Sequence, residues 1–136
     1  MQYWLLKSEP DVYSWDRLVK EKTGRWDGVR NYTARNYLSA MKKGDLGLFY
    51  HSNIGKEAVG ILKITGEAYP DPTDKSGKFV CVDVAPVKRF KRPVTLAEIK
   101  QHPDLQQMAL LKYSRLSVQP VTVDEWEIIC HLGGGE

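Results

Sequence analysis

The sequence predicts one small α+β domain built on a curled sheet, with strands mostly in the middle of the chain and helices before and after them. Three observations lead there. Leu46 to His51, Ala58 to Gly66 and Phe79 to Val87 alternate with the period of two that a strand imposes. Apolar residues at Trp15, Leu18 and Val19, and again at Ala34, Tyr37, Leu38 and Met41, recur instead at helical spacing. The chain has 136 residues, with no internal repeat, no low-complexity tract and no linker long enough to divide it, so a single core is expected.

In order, Tyr3 to Lys7 reads as a short buried strand, with Trp4, Leu6 and Ser8 on one face and Tyr3, Leu5 and Lys7 on the other. Pro10 ends it. Ser14 is the expected cap of the first helix, which Thr23-Gly24 stops. Arg25-Trp26-Asp27-Gly28-Val29-Arg30-Asn31 then runs into the second helix, for which Asn31 is the expected cap and Lys42-Lys43-Gly44-Asp45 the exit. This stretch offers an aromatic plate, a glycine that lets a ligand approach the backbone, and polar groups beside a helix N-terminus, whose free N–H groups carry partial positive charge. It reads as one wall of a binding site. Leu46, Leu48, Tyr50 and Ser52 share a strand face, and Ser52 to Lys56 is a turn by composition.

Ala58 to Gly66 is the next strand, closed by Tyr69-Pro70-Asp71-Pro72, and Asp74 to Lys78 is a polar loop. Phe79 to Val87 is strongly β-forming, and the basic run Lys88-Arg89-Phe90-Lys91-Arg92 reads as a solvated hairpin tip ended by Pro93. Thr95 and Glu98 form a capping box for a short helix ending near His102-Pro103, and Asp104 is expected to cap another over Leu105, Met108 and Ala109. Arg115 to Val121 reads as irregular. Thr122 and Glu125 make a second capping box, opening a last helix with Trp126, Ile129 and Cys130 on its apolar face. A C-cap glycine and frayed tail follow, so the domain is expected to span residues 1–132 with 133–136 a flexible glycine-rich tail.

Composition sets broad limits. Hydrophobic residues at 42% and charged residues at 27% suit a globular protein, and the net charge of +3 permits nucleic-acid binding without demonstrating it. Cys81 and Cys130 are unpatterned, and two buried thiols in a reducing cytosol are expected. The N-terminal residues lack the features of a signal peptide, and no segment approaches the roughly 20 apolar residues of a membrane span. A cytoplasmic monomer with no membrane association is the expectation.

Catalytic chemistry finds little support in the motifs. There is no nucleophile elbow, phosphate-cradling loop or metal-ligand spacing, so no catalytic residue, metal or cofactor is expected. Glu9 and Asp27 would form a carboxylate pair only if the fold brought them together. Recognition has the stronger physical case. Trp4, Trp26 and Tyr50 lie in or beside segments that carry Ser8, Asn31, Ser52 and Gln119. Aromatic plates with short neutral hydrogen-bonding groups are what a planar heterocycle needs, stacking on its faces and pairing at its edge. Two facing rings about 7 Å apart would sandwich a base. Lys7, Arg25, Arg30, Arg115 and the Lys88 to Arg92 run are candidates to meet a phosphate backbone. The bland alternative, with the tryptophans in the core, stays open.

Five blocks carry a family resemblance: Tyr3-Trp4-Leu5-Leu6-Lys7-Ser8-Glu9-Pro10, Trp26-Asp27-Gly28-Val29-Arg30-Asn31-Tyr32, Tyr50-His51-Ser52-Asn53, Tyr69-Pro70-Asp71-Pro72 and Arg115-Leu116-Ser117-Val118-Gln119-Pro120-Val121. In order and nearly from end to end, the chain resembles the EVE domain. Thr33 departs from the family, where Gln is more usual. The resemblance implies a PUA-like fold, a closed or nearly closed mixed β-barrel flanked by helices, and kinship with YTH domains. It further implies a reader of modified bases in nucleic acid, notably methylated or hydroxymethylated cytosine flipped into a pocket. Carried over by motif, that pocket draws on Trp4, Lys7, Ser8, Glu9, Trp26, Val29, Arg30, Asn31, Tyr50, Ser52, Ser117 and Gln119. Whether the ligand is DNA or RNA stays open, as do an enzyme acting on a modified nucleobase and a small-molecule or protein-interaction module.

Overall fold

β1 (Tyr3–Ser8) lies between two partners remote in sequence, running parallel to β3 (Leu46–His51) and antiparallel to β6 (Val118–Val121). The computed structural model, which describes residues 1–134, builds outward from this triplet. β3 pairs antiparallel with β4 (Glu57–Pro70), β4 with β5 (Val80–Thr95), and β5 with β2 (Gly24–Trp26). The result is one mixed six-stranded sheet in the order β2-β5-β4-β3-β1-β6. The expected barrel is not closed: the sheet curls, but β2 and β6 remain its two ends.

Side-chain alternation sends alternate residues to opposite faces, and helices cover both. On one face Trp4, Leu6 and Phe49 pack with Trp15 and Leu18 of α1 (Trp15–Glu21) and with Ala34 and Leu38 of α2 (Tyr32–Ala40). On the other, Leu5, Leu48 and Val121 pack with Ile99 of α3 (Leu96–Gln101), Leu110 of α4 (Ala109–Lys112) and Trp126 and Ile129 of α5 (Val123–Leu132). Full burial of one such leucine or phenylalanine contributes on the order of 1.5–3 kcal/mol. The local helix signals appear in the structure: the Ser14 and Asn31 side chains accept from Arg17 and Ala34 N–H groups, and both capping boxes are complete.

Four expectations need correction. β2 was not anticipated, because a three-residue strand shows no periodicity of its own. The run Lys88 to Arg92 is no hairpin tip: β5 continues through it to Thr95, and repeated register shifts against β4 bend the pair. Arg89 and Arg92 are tied to Asp16 and Glu98 at 3.1 and 2.7 Å. Asp104 caps nothing; His102 accepts its N–H to start a 3-10 turn over Pro103–Leu105, and α4 begins after it without a side-chain cap. Finally, the end of the Arg115 block is a strand, β6, and not irregular.

Gly60 shows how closely the layers approach, since a β-carbon there would lie 2.7 Å from the Trp15 ring and 2.8 Å from the Lys88 carbonyl. Cys81 and Cys130 are both free and buried. Gly133 packs on Phe90, its carbonyl accepts from Arg92, and Gly134 donates to His131, so these two residues are held in place. The rest of the expected tail, Gly135 and Glu136, lies outside the described residues. No helix among the described residues is long and apolar enough to cross a membrane.

Candidate functional site

A cleft of about 840 Å³ opens where β1 ends. Its walls come from Lys7, Ser8 and Glu9 of β1 and its exit, from Trp26 at the end of β2 and the three residues after it, from Ser52 and Asn53 between β3 and β4, and from Ser114, Arg115 and Ser117 before β6. Thus the two unpaired ends of the sheet both contribute. Trp26 is only 5% exposed and meets Phe49 and Tyr13 edge to face, with ring centroids 5.2 and 6.0 Å away. Tyr13 and Trp26 thus form an aromatic corner and not a pair of facing plates. Gly28, at φ 78° with open space around its α-carbon, leaves the adjoining backbone approachable.

The wall from Gly28 to Arg30 is fixed by a carboxylate far away in sequence. Asp71 is 2% exposed and accepts from Gly28 N at 2.8 Å, Arg30 Nη1 at 3.1 Å, and the Thr73 N–H and hydroxyl at 2.7 and 2.6 Å. Burial pushes its carboxyl up, but the hydrogen bonds from Thr73, Gly28 and Arg30 outweigh that and hold it at about 2. Arg30 also bonds Val29 O and Thr73 and lies over the Phe79 ring. On the opposite wall, the Lys7 ammonium donates to Ser114 O at 2.8 Å, and burial lowers its pKa. Around the rim Arg25 pairs with Asp27, Arg17 with Glu21, and Glu9 accepts from Asn53 Nδ2 at 2.7 Å. Among the described residues no group of three or more His, Cys, Asp or Glu side chains converges as a metal site would.

Comparison with known families decides the lineage, because the EVE domain model matches residues 2–132. The chain belongs to the EVE domain family. A protein of Rhodopseudomonas palustris, solved by NMR, is 57% identical with a TM-score of 0.93, covering 98% of this chain and 94% of its own. Human thymocyte nuclear protein 1 is 37% identical over 96% of this EVE chain and 73% of its own length. Its structure in complex with 5-methylcytosine containing DNA gives a TM-score of 0.90, covering 100% of this chain and 99% of that one. A Zygosaccharomyces rouxii YTH domain, solved with N6-methyladenosine RNA, shares the fold at a TM-score of 0.62 and 18% identity, over 97% of this chain and 86% of its own.

Within this EVE domain the expected pocket residues divide. Lys7, Ser8, Glu9, Trp26, Val29, Ser52 and Ser117 come together around the cleft. Trp4 does not: it stands four residues up β1 from Ser8, about 13 Å away, and its indole donates to the buried Asp45 at 3.1 Å. Tyr50 is 3% exposed and packs on the opposite face of the sheet with Leu5 and Leu48. Gln119 is fully buried, bracing the turn before β6 through Nε2 to Leu116 O at 2.8 Å. Asn31 caps α2 and borders a neighbouring cleft, and Arg30 is committed to Asp71.

Tyr13, Arg17 and Asp71 were not on the sequence's shortlist. Tyr13 did leave a signal, since it precedes the Ser14 cap at the position where an apolar side chain staples back onto Leu18 and so turns inward. Asp71 sits in a quoted motif block, but its partners at Gly28 and Arg30 are visible only in three dimensions.

Proposed function

We propose that this EVE domain is a nucleic-acid reader that takes a modified base, methylated or hydroxymethylated, into the cleft beside Trp26. One observation carries the reading. An aromatic corner and the hydroxyls of Ser8, Ser52 and Ser117 share a cleft of about 840 Å³, a size that suits a nucleobase with its sugar. The base would lie against the aromatic corner while the serines and the backbone around Gly28 address its edge. The relative whose structure contains 5-methylcytosine DNA supports the choice of ligand class. Arg30, with its guanidinium bound to Asp71, serves as part of the wall and not as a phosphate clamp.

The role is binding and not turnover. Glu9, Glu21 and Asp27, the three carboxylates lining the cleft, are each engaged, by Asn53, Arg17 and Arg25. The proposal extends to one domain over residues 1–132, acting as a monomer in the cytoplasm, and the two free buried thiols suit a reducing compartment.

Titration of the protein with oligonucleotides differing only in one modified cytosine, followed by tryptophan fluorescence, tests the reading. Tighter binding of the modified strand is expected. Equal, purely salt-driven binding to both would overturn it.

A further inference from the structure

The molecule has seven arginines, and six of them are occupied. Arg17, Arg25, Arg30, Arg89 and Arg92 each meet a carboxylate, and Arg35 bonds Asn36 and the Lys78 carbonyl. Arg115 is the exception: it is exposed and, among the described residues, its guanidinium has no hydrogen bond and no ion pair. Its position is equally distinctive. The base cleft and a second cleft of about 590 Å³ adjoin, and Ser114 and Arg115 line both. Beyond that shared lip the second cleft presents Tyr37 and Tyr113, the latter 60% exposed, with Asn31 and Thr33.

The turn that carries Arg115 is held rigidly from beneath. Leu116 N donates to Tyr113 O at 3.0 Å, Lys7 Nζ to Ser114 O at 2.8 Å and Gln119 Nε2 to Leu116 O at 2.8 Å. Lys7 N adds a bond to Ser117 O at 2.8 Å. A guanidinium left unpaired on a turn whose backbone is held in this way is available to an anion from outside the molecule, and its planar fork matches phosphate.

We infer that Arg115 grips the phosphate joining the base in the larger cleft to its neighbour, and that the second cleft receives that neighbouring nucleotide against Tyr37 and Tyr113. This rests on the reading of the larger cleft as a base site. The ligand is thus a nucleic-acid strand of at least two nucleotides. The modification is read on one side of Arg115, and the neighbour, held by ring stacking, is accepted with little regard to its base.

Fluorescence anisotropy with duplex DNA carrying one 5-methylcytosine or one cytosine is the test, using wild type, Arg115→Ala, Arg115→Lys and Tyr113→Ala. Both residues are exposed, so the variants are expected to fold. Arg115→Ala should weaken both duplexes by the same factor, about tenfold, and lower the slope of log affinity against log salt by about 0.9, the signature of one phosphate. Arg115→Lys should restore most of that slope. Tyr113→Ala should weaken the dinucleotides that carry a neighbour on one side of 5-methyldeoxycytidine, and leave the free nucleoside unaffected. Unchanged affinity and salt slope in Arg115→Ala, with the wild type still preferring the methylated duplex, would overturn this inference alone. Absence of any methyl preference in the wild type would overturn the reading of the larger cleft, and the Arg115 slope distinguishes the two because it is measured on both duplexes.

Discussion

Arg30 and Asp71, 41 residues apart in the chain, meet at 3.1 Å with the aspartate side chain wholly buried and the arginine side chain two-fifths exposed. This contact, with the bond from Gly28 N to the same carboxylate oxygen, fixes the wall of the cleft to the loop after β4. The Asp71 carboxyl, held at about 2, lies below its unfolded value near 3.9, so its contribution is present above pH 4 and is lost as pH falls toward 2. The shift corresponds to about 2.5 kcal/mol. Asp71→Asn should cost about 2–3 kcal/mol at pH 7 and flatten the acid limb of a urea-unfolding series between pH 5 and 2. An acid limb unchanged in the variant would place that stabilisation elsewhere.

Trp26 has two roles, and substitutions should separate them. At 5% exposure it is a core residue, so Trp26→Ala should destabilise the fold by about 3–5 kcal/mol in thermal or urea unfolding. Trp26→Phe keeps a ring in the corner and should fold, while weakening the modified oligonucleotide by about 1 kcal/mol through the smaller stacking surface. Undiminished binding in Trp26→Phe would exclude the indole as a contact surface.

Tyr50 lies on the far face of the sheet, where burial raises its hydroxyl to about 12. Tyr50→Phe is expected to leave oligonucleotide affinity unaltered. Ultraviolet difference titration of the wild type should show one tyrosine ionising near pH 12 that the variant lacks. A large loss of affinity in Tyr50→Phe would contradict this placement.

His51 Nε2 accepts the first N–H of α1, from Trp15, at 3.1 Å, an arrangement that requires a neutral ring. Burial lowers its pKa. The unfolded chain therefore takes up the proton first, and stability should fall as pH drops below about 6.5, levelling off once the folded pKa is passed. His51→Gln keeps an acceptor and loses the charge, so its unfolding free energy should be flat across that window. A wild-type curve already flat there would show that the ring titrates normally.

How much of this was legible in the sequence depended on whether the cause was local. Ser14, Asn31, Thr95 and Thr122 announced their helices because a cap needs only the next three residues. The alternation of Leu46, Leu48 and Tyr50 was legible too, but not the direction it faced: periodicity pairs residues without saying which helices cover them, and Tyr50 faces α3 to α5. β2 and β6 were lost because each exists through a distant partner, β5 for one and β1 for the other. The cleft was half legible for the same reason. Lys7, Ser8 and Glu9 are contiguous and arrive together, whereas Trp4 belongs to the same strand and is carried out of reach by its length.

The two free ends of the sheet bear on whether another chain can extend it. An uncovered strand edge is a template on which another chain can extend the sheet. Here the edges are three and four residues long, and Pro120 removes a donor from the longer one. Because outward-facing residues alternate, β6 can offer no more than two N–H groups to an incoming strand. Lengthening β6 and replacing Pro120 would create the aggregation-prone ledge that this chain avoids while leaving its barrel open.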